Sequence, residues 1–82
     1  MNYIIGFKPR ALKDLANLPE ADRRRIVARI DGLQNNLTGD VKKLTNFTPE
    51  YRLRVGDYRA LFEIEGPNVV VYRVLHRREV YR

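Results

Sequence analysis

Two hydrophobic periods divide this chain. Asn2 to Phe7 is a short apolar run with β-branched residues, and it predicts a first strand. Pro9 suits the first turn of a helix. Ala11, Leu12, Leu15 and Ala16 then follow helical spacing to about Leu18. Pro19 restarts a helix, with Glu20 and Asp22 near its positive end. Its apolar stripe is Ile26, Ile30, Leu33 and Leu37, and Arg23, Arg24, Arg25 and Arg29 lie mostly off that stripe. The pattern is an αα-hairpin joined by a tight turn.

Thr38 to Glu50 has no clear period and contains Gly39, Asn46 and Pro49. It reads as a loop that Leu44 and Phe47 pin to the core. A loop of about a dozen residues in a small domain points to function. The period then changes to two. Tyr51–Val55 and Tyr58–Glu65 flank Gly56-Asp57, a permissive two-residue hairpin turn. A third strand runs from Asn68 to about His76, after Gly66-Pro67, and its Val69-Val70-Val71 run is apolar on both faces, as in a central strand. The order β-α-α-β-β-β predicts an α+β domain over residues 1–82. Its N-terminal helical hairpin packs on a mostly antiparallel four-stranded sheet.

A two-residue loop at Gly56-Asp57 dictates the pairing around it. Val55 faces Tyr58, Arg54 faces Arg59, Leu53 faces Ala60 and Arg52 faces Leu61. Arg52, Arg54 and Arg59 therefore share one side of the hairpin. Tyr51, Leu53, Val55, Tyr58, Ala60, Phe62 and Ile64 share the other, the core side. Arg54 opposite Arg59 is a like-charge pair, which destabilises a sheet by itself. A solvated surface is the plain account of any one of these arginines. Three together on one face suit an anion, because guanidinium binds phosphate bidentately and stays charged. Gly66-Pro67-Asn68 can turn in more than one way. The register of the last hairpin, and with it the face taken by His76, stays open.

Composition narrows the partner. The chain has 82 residues and a net charge of +6, with 16 Lys+Arg against 10 Asp+Glu, which favours an anionic ligand such as nucleic acid. It has no cysteine and one histidine, so no disulfide framework, metal or cofactor is expected. No apolar run reaches membrane-spanning length and no signal pattern opens the chain, so a cytoplasmic protein without a membrane partner is expected.

Tyr51-Arg-Leu-Arg-Val-Gly-Asp-Tyr-Arg59 and His76-Arg-Arg-Glu-Val-Tyr81, in a basic chain with this element order, resemble the RelE/ParE superfamily. These are the toxins of bacterial type II toxin–antitoxin pairs. The RelE-type branch is the most similar. The resemblance implies a ribosome-dependent endoribonuclease that cuts mRNA in the A site without metal. It places the catalytic set at Arg52, Arg54, Arg59, Arg77 and Tyr81, with Arg78 as the neighbouring option for the C-terminal arginine. Lys42, Lys43, Arg78 and His76 are the candidate RNA contacts, and His76 has the intrinsic pKa for acid–base work. The RelE-type pattern has lysines where this chain has Arg52 and Arg54, and arginine is a poor general base. Phosphate binding survives that change, and three alternatives follow for the chemistry: a slower nuclease, a proton routed through Tyr81 or His76, or a protein that does not cut RNA. The implied partners are the ribosome, mRNA and an acidic antitoxin that wraps the toxin in a hetero-oligomer. A ParE-type toxin that inhibits DNA gyrase by binding is the alternative. A basic nucleic-acid-binding module without catalysis is a third reading.

Overall fold

The computed structural model describes residues 2–80. Strand β1 is Ile4–Phe7, helix α1 is Pro9–Ala16 and helix α2 is Glu20–Asp31, followed by a 3-10 turn at Gly32–Gln34. Lys8 stays extended and Pro9 sets the first helical φ. Ala11 and Leu15, four residues apart, bury the same face of α1. Pro19 disfavours helical geometry in the residue before it, so α1 stops at Ala16. Pro19 is itself the extended cap of α2, and Glu20 and Asp22 occupy the first turn. Ile26, Ile30 and Leu33 carry the predicted stripe into the core. Leu37 falls beyond the helical segment at a positive φ of 57° and packs at the margin. Leu12 departs from the expected apolar face and is 53% exposed.

The sheet has five strands, not four. Val41–Lys43 forms β2 inside the expected loop and pairs antiparallel with β3, Tyr51–Val55. Three residues are too few to display a period, so only the pairing reveals the strand. Strand β4 is Tyr58–Glu65 and β5 is Asn68–His76, and the spatial order is β1-β5-β4-β3-β2. Strand β5 is central, as its valine run predicts, with β1 parallel to it and β4 antiparallel. The core centres on Phe62, Ile26, Ile30, Leu33, Leu53, Val69 and Val71, with Tyr51 stacked on Phe62 at 5.5 Å between ring centroids. A four-residue helix, α3 (Arg77–Val80), follows β5, packs on β4 and β5 and buries Val80.

One irregularity settles the open register. Phe62 pairs with Val71, but Leu61 pairs with Arg73, so Tyr72 is an extra residue in β5. The bulge inverts the alternation. Val74 and His76 follow the core face of Ala60 and Tyr58, while Leu75 sits opposite Arg59. Strand β1 ends at Phe7, paired to Val71, and leaves the upper half of β5 without a strand on that side. Asp14 of α1 fills the gap. Its carboxylate accepts the Val74 N–H at 3.0 Å and the Arg73 Nε and Nη2 hydrogens at 2.8 and 3.2 Å. That hydrogen bond raises the Arg73 pKa above its already high ordinary value, opposed in part by desolvation.

Candidate functional site

The β3–β4 hairpin takes the predicted register in full, with Arg54 opposite Arg59 and Arg52 opposite Leu61. Arg52, Arg54 and Arg59 therefore lie on the sheet face away from the main core. Lys42 pairs with Arg52 across β2 and β3 and joins that face. Lys43 pairs with Tyr51 and takes the opposite side. There its ammonium lies 5.9 Å from the Tyr51 ring centroid and 3.6 Å from Glu50. The two lysines, adjacent in sequence, are separated by the pleat.

The like-charge pair is relieved by turning its members to different acceptors. Arg54 Nε meets Asp40 Oδ2 at 3.0 Å. Arg59 Nη1 donates to the Gly56 and Tyr58 carbonyls at 2.9 and 3.0 Å. The Arg52 side chain is only 12% accessible, against 57% for Arg54. It donates to the Asp40 carbonyl at 2.8 Å and to Asp40 Oδ1 at 3.2 Å. Asp40, one residue before β2, thus organises two of the three arginines. Its only sequence signal was an acid after Gly39.

The C-terminal segment reaches the same hairpin tip. The Arg77 N–H donates to the Asp57 carbonyl at 2.7 Å, and Arg77 Nε lies 3.7 Å from Asp57 Oδ1. Arg59 and Arg77 consequently both meet one turn, Gly56-Asp57, while Arg54, paired across the hairpin with Arg59, is turned to Asp40. Gly56 has φ +59°, and a Cβ there would stand 3.1 Å from Arg25 Nη2 of α2. A side chain at Gly56 is therefore disfavoured by the backbone, while the half-exposed Arg25 end can give way.

His76 is placed elsewhere. Its ring packs edge-on against Tyr58 at 5.6 Å, on the core-side face. Its Nδ1 accepts the Arg78 N–H, while Glu79 Oε1 accepts the His76 N–H, both at 3.3 Å. This reciprocal arrangement is a capping box at the start of α3. Arg78 contributes that backbone bond and its side chain is exposed. Tyr81 lies outside the described residues. On the far end of the arginine face, the Tyr72 hydroxyl donates to Glu65 Oε2 at 3.1 Å, a bond that raises the Tyr72 pKa. A concavity of about 490 Å³ is an open cleft lined by Leu44, Asn46, Phe47 and neighbours, and none of the arginines lines it.

Residues 5–81 match the family model described as ParE toxin of type II toxin-antitoxin system, parDE. The chain belongs to the RelE/ParE toxin superfamily. The toxin is 38% identical to Toxin RelE3 of Methanocaldococcus jannaschii over 80 residues, covering 92% of this chain and 91% of that one. Its fold superposes on a crystal structure of the RelB-RelE antitoxin-toxin complex from Methanococcus jannaschii with a TM-score of 0.76. That match has 38% identity and covers 93% and 94% of the two chains. The toxin-antitoxin complex RelBE2 from Mycobacterium tuberculosis gives a TM-score of 0.81 at 28% identity, covering 94% and 100%. These relatives support the RelE-type resemblance drawn from the hairpin and C-terminal motifs.

Proposed function

We propose that this toxin is a ribosome-dependent mRNA endoribonuclease acting in the A site, with the arginines around the Gly56-Asp57 turn as its phosphate grip. The placement of Arg59 and Arg77 at that turn, with Arg54 paired directly opposite Arg59, carries the reading. Cleavage at a phosphodiester requires the 2′-hydroxyl to lose a proton and attack phosphorus. Charge then grows on the phosphorane oxygens, and the 5′-oxygen leaves with a proton. Fixed guanidinium groups stabilise that charge without a metal, because they carry their donors already oriented. Arg54 and Arg59 are assigned to the phosphorane oxygens and Arg77 to the leaving side. Arg52, held by the Asp40 carbonyl, joins Arg54 in that grip, and Lys42 extends it to a neighbouring phosphate. Tyr81 is the proposed proton-transfer or base-stacking group. Lys43 and Arg78 are proposed to contact RNA phosphates outside the reacting centre. The action is placed in the cytoplasm, where the translating ribosome is.

His76 is assigned to holding α3, and through it Arg77, in place of proton transfer. His76→Asn supplies another good capping side chain. It is expected to keep cleavage within about threefold of the parent, whereas loss of a general acid or base costs on the order of a hundredfold or more. Single-turnover cleavage on programmed ribosomes checks this. A hundredfold loss in the Asn variant would return His76 to the chemistry.

An antitoxin is the proposed partner, since the structural relatives were solved as RelB-RelE complexes. An acidic segment complements the +6 net charge and speeds association. The decisive experiment is primer extension on translated mRNA after toxin induction. Cuts within codons, absent when translation is blocked, are the expected result. The matching family model keeps a gyrase reading in play. Trapped gyrase–DNA breaks with intact mRNA would favour that alternative.

A further inference from the structure

Asp40 places one carboxylate across two arginines. Oδ1 lies 3.2 Å from Arg52 Nη1 and Oδ2 lies 3.0 Å from Arg54 Nε. Two oxygens of one anion, each taken by a different guanidinium, are also what two non-bridging oxygens of a phosphodiester present. We infer that Asp40 occupies a phosphate seat between Arg52 and Arg54 when RNA is absent, and that an RNA phosphate displaces it. The inference rests on the phosphate-binding role proposed above and names a competitor built into that site.

Three features make the exchange inexpensive. The Asp40 side chain is 48% exposed, so its carboxylate can swing into water and regain hydration. The Asp40 backbone stays fixed while it does so, because its carbonyl accepts the Arg54 N–H at 3.0 Å. The same carbonyl accepts Arg52 Nη1 at 2.8 Å, so Arg52 keeps its position after the carboxylate leaves. The displaced arrangement therefore retains both guanidinium groups and frees the Arg52 donor and the Arg54 ion-pair position that the Asp40 carboxylate had taken. In the resting state the carboxylate offsets the repulsion between Arg54 and Arg59, which pair directly across the hairpin.

The test is binding of a short single-stranded RNA bearing 2′-O-methyl groups, which blocks internal attack and separates binding from cleavage. Fluorescence anisotropy is read at low and at moderate salt. Asp40→Asn keeps the size of the side chain and removes its charge. It is expected to bind about fivefold more tightly at low salt, the scale of one exposed ion pair released. Glu65→Gln makes the same charge change at the far end of the same face and is expected to shift affinity by less than about twofold. In an Arg54→Ala background the gain from Asp40→Asn should vanish. An Asp40→Asn protein that binds no tighter than Glu65→Gln, or that gains equally without Arg54, overturns the inference. If Arg54→Ala alone still weakens binding in that case, the phosphate-binding role stands without the displaced acid. If Arg54→Ala alone leaves RNA affinity unchanged, both fall together.

Discussion

Arg59→Ala is expected to slow single-turnover cleavage of ribosome-bound mRNA by about a hundred- to a thousandfold, the usual cost of removing one oriented donor to a charged transition state. Arg59 Nη1 is committed to the Gly56 and Tyr58 carbonyls, which fix the guanidinium plane beside the hairpin turn. Its remaining nitrogens have no acceptor among the described residues and are the donors available to a phosphate. The substitution should cost about 1 kcal/mol or less in stability, because the Gly56 carbonyl lies at an exposed turn and the Tyr58 carbonyl is only partly buried. Growth assays should therefore show lost toxicity from a protein that still melts cooperatively near the parent temperature. Full toxicity in Arg59→Ala would remove the residue from the site. Arg59→Lys should also be impaired, since an ammonium cannot donate to two carbonyls and a phosphate in one plane.

Asp14→Ala carries the largest expected stability loss, about 2–3 kcal/mol by urea denaturation. The carboxylate is only 14% exposed and serves both the Arg73 guanidinium and the Val74 N–H. Its removal leaves a half-buried cation and an unpaired strand edge at once. A domain of this size loses about 4–8 °C of Tm per kcal/mol, so the expected drop is roughly 10–20 °C. Asp14→Ala combined with Arg73→Met should recover part of the loss, because the stranded charge goes too. Equal stability of Asp14→Ala and the parent would show that water closes this edge equally well. The sign of any pH dependence from Arg73 follows from its raised folded pKa. That contribution is complete below the unfolded pKa and disappears only as pH climbs through the folded one, so it is constant around neutrality.

These two sites differ in how legible they were. The hairpin arginines could be placed from sequence because a two-residue turn leaves one register, and alternation then assigns every side chain to a face. The Gly56-Asp57 turn forms as read, and each predicted pair from Val55–Tyr58 to Arg52–Leu61 is present. The helical stripe of Ile26, Ile30 and Leu33 was equally readable, since burial of one helix face imposes a period of 3.6. Asp14 and Arg73 gave no such signal. They stand 59 positions apart and meet only because β1 is too short to cover β5. Asp40 was hidden for a similar reason: it flanks a three-residue edge strand that shows itself by pairing rather than by pattern.

Local pattern by itself therefore determined the order of the four longer strands and the two main helices, the interior position of β5, the β3–β4 register and the shared face of Arg52, Arg54 and Arg59. Each of these follows from interactions between near neighbours or from a period imposed by burial. Tertiary structure alone decided what those arginines touch and which C-terminal side chains join them. The Tyr72 bulge inverts the alternation of β5 and sends His76 to the core face, while the Asp57 carbonyl draws Arg77 to the hairpin tip. A one-residue insertion in a strand changes no period that a sequence displays, yet it moves every following side chain to the other face of the sheet.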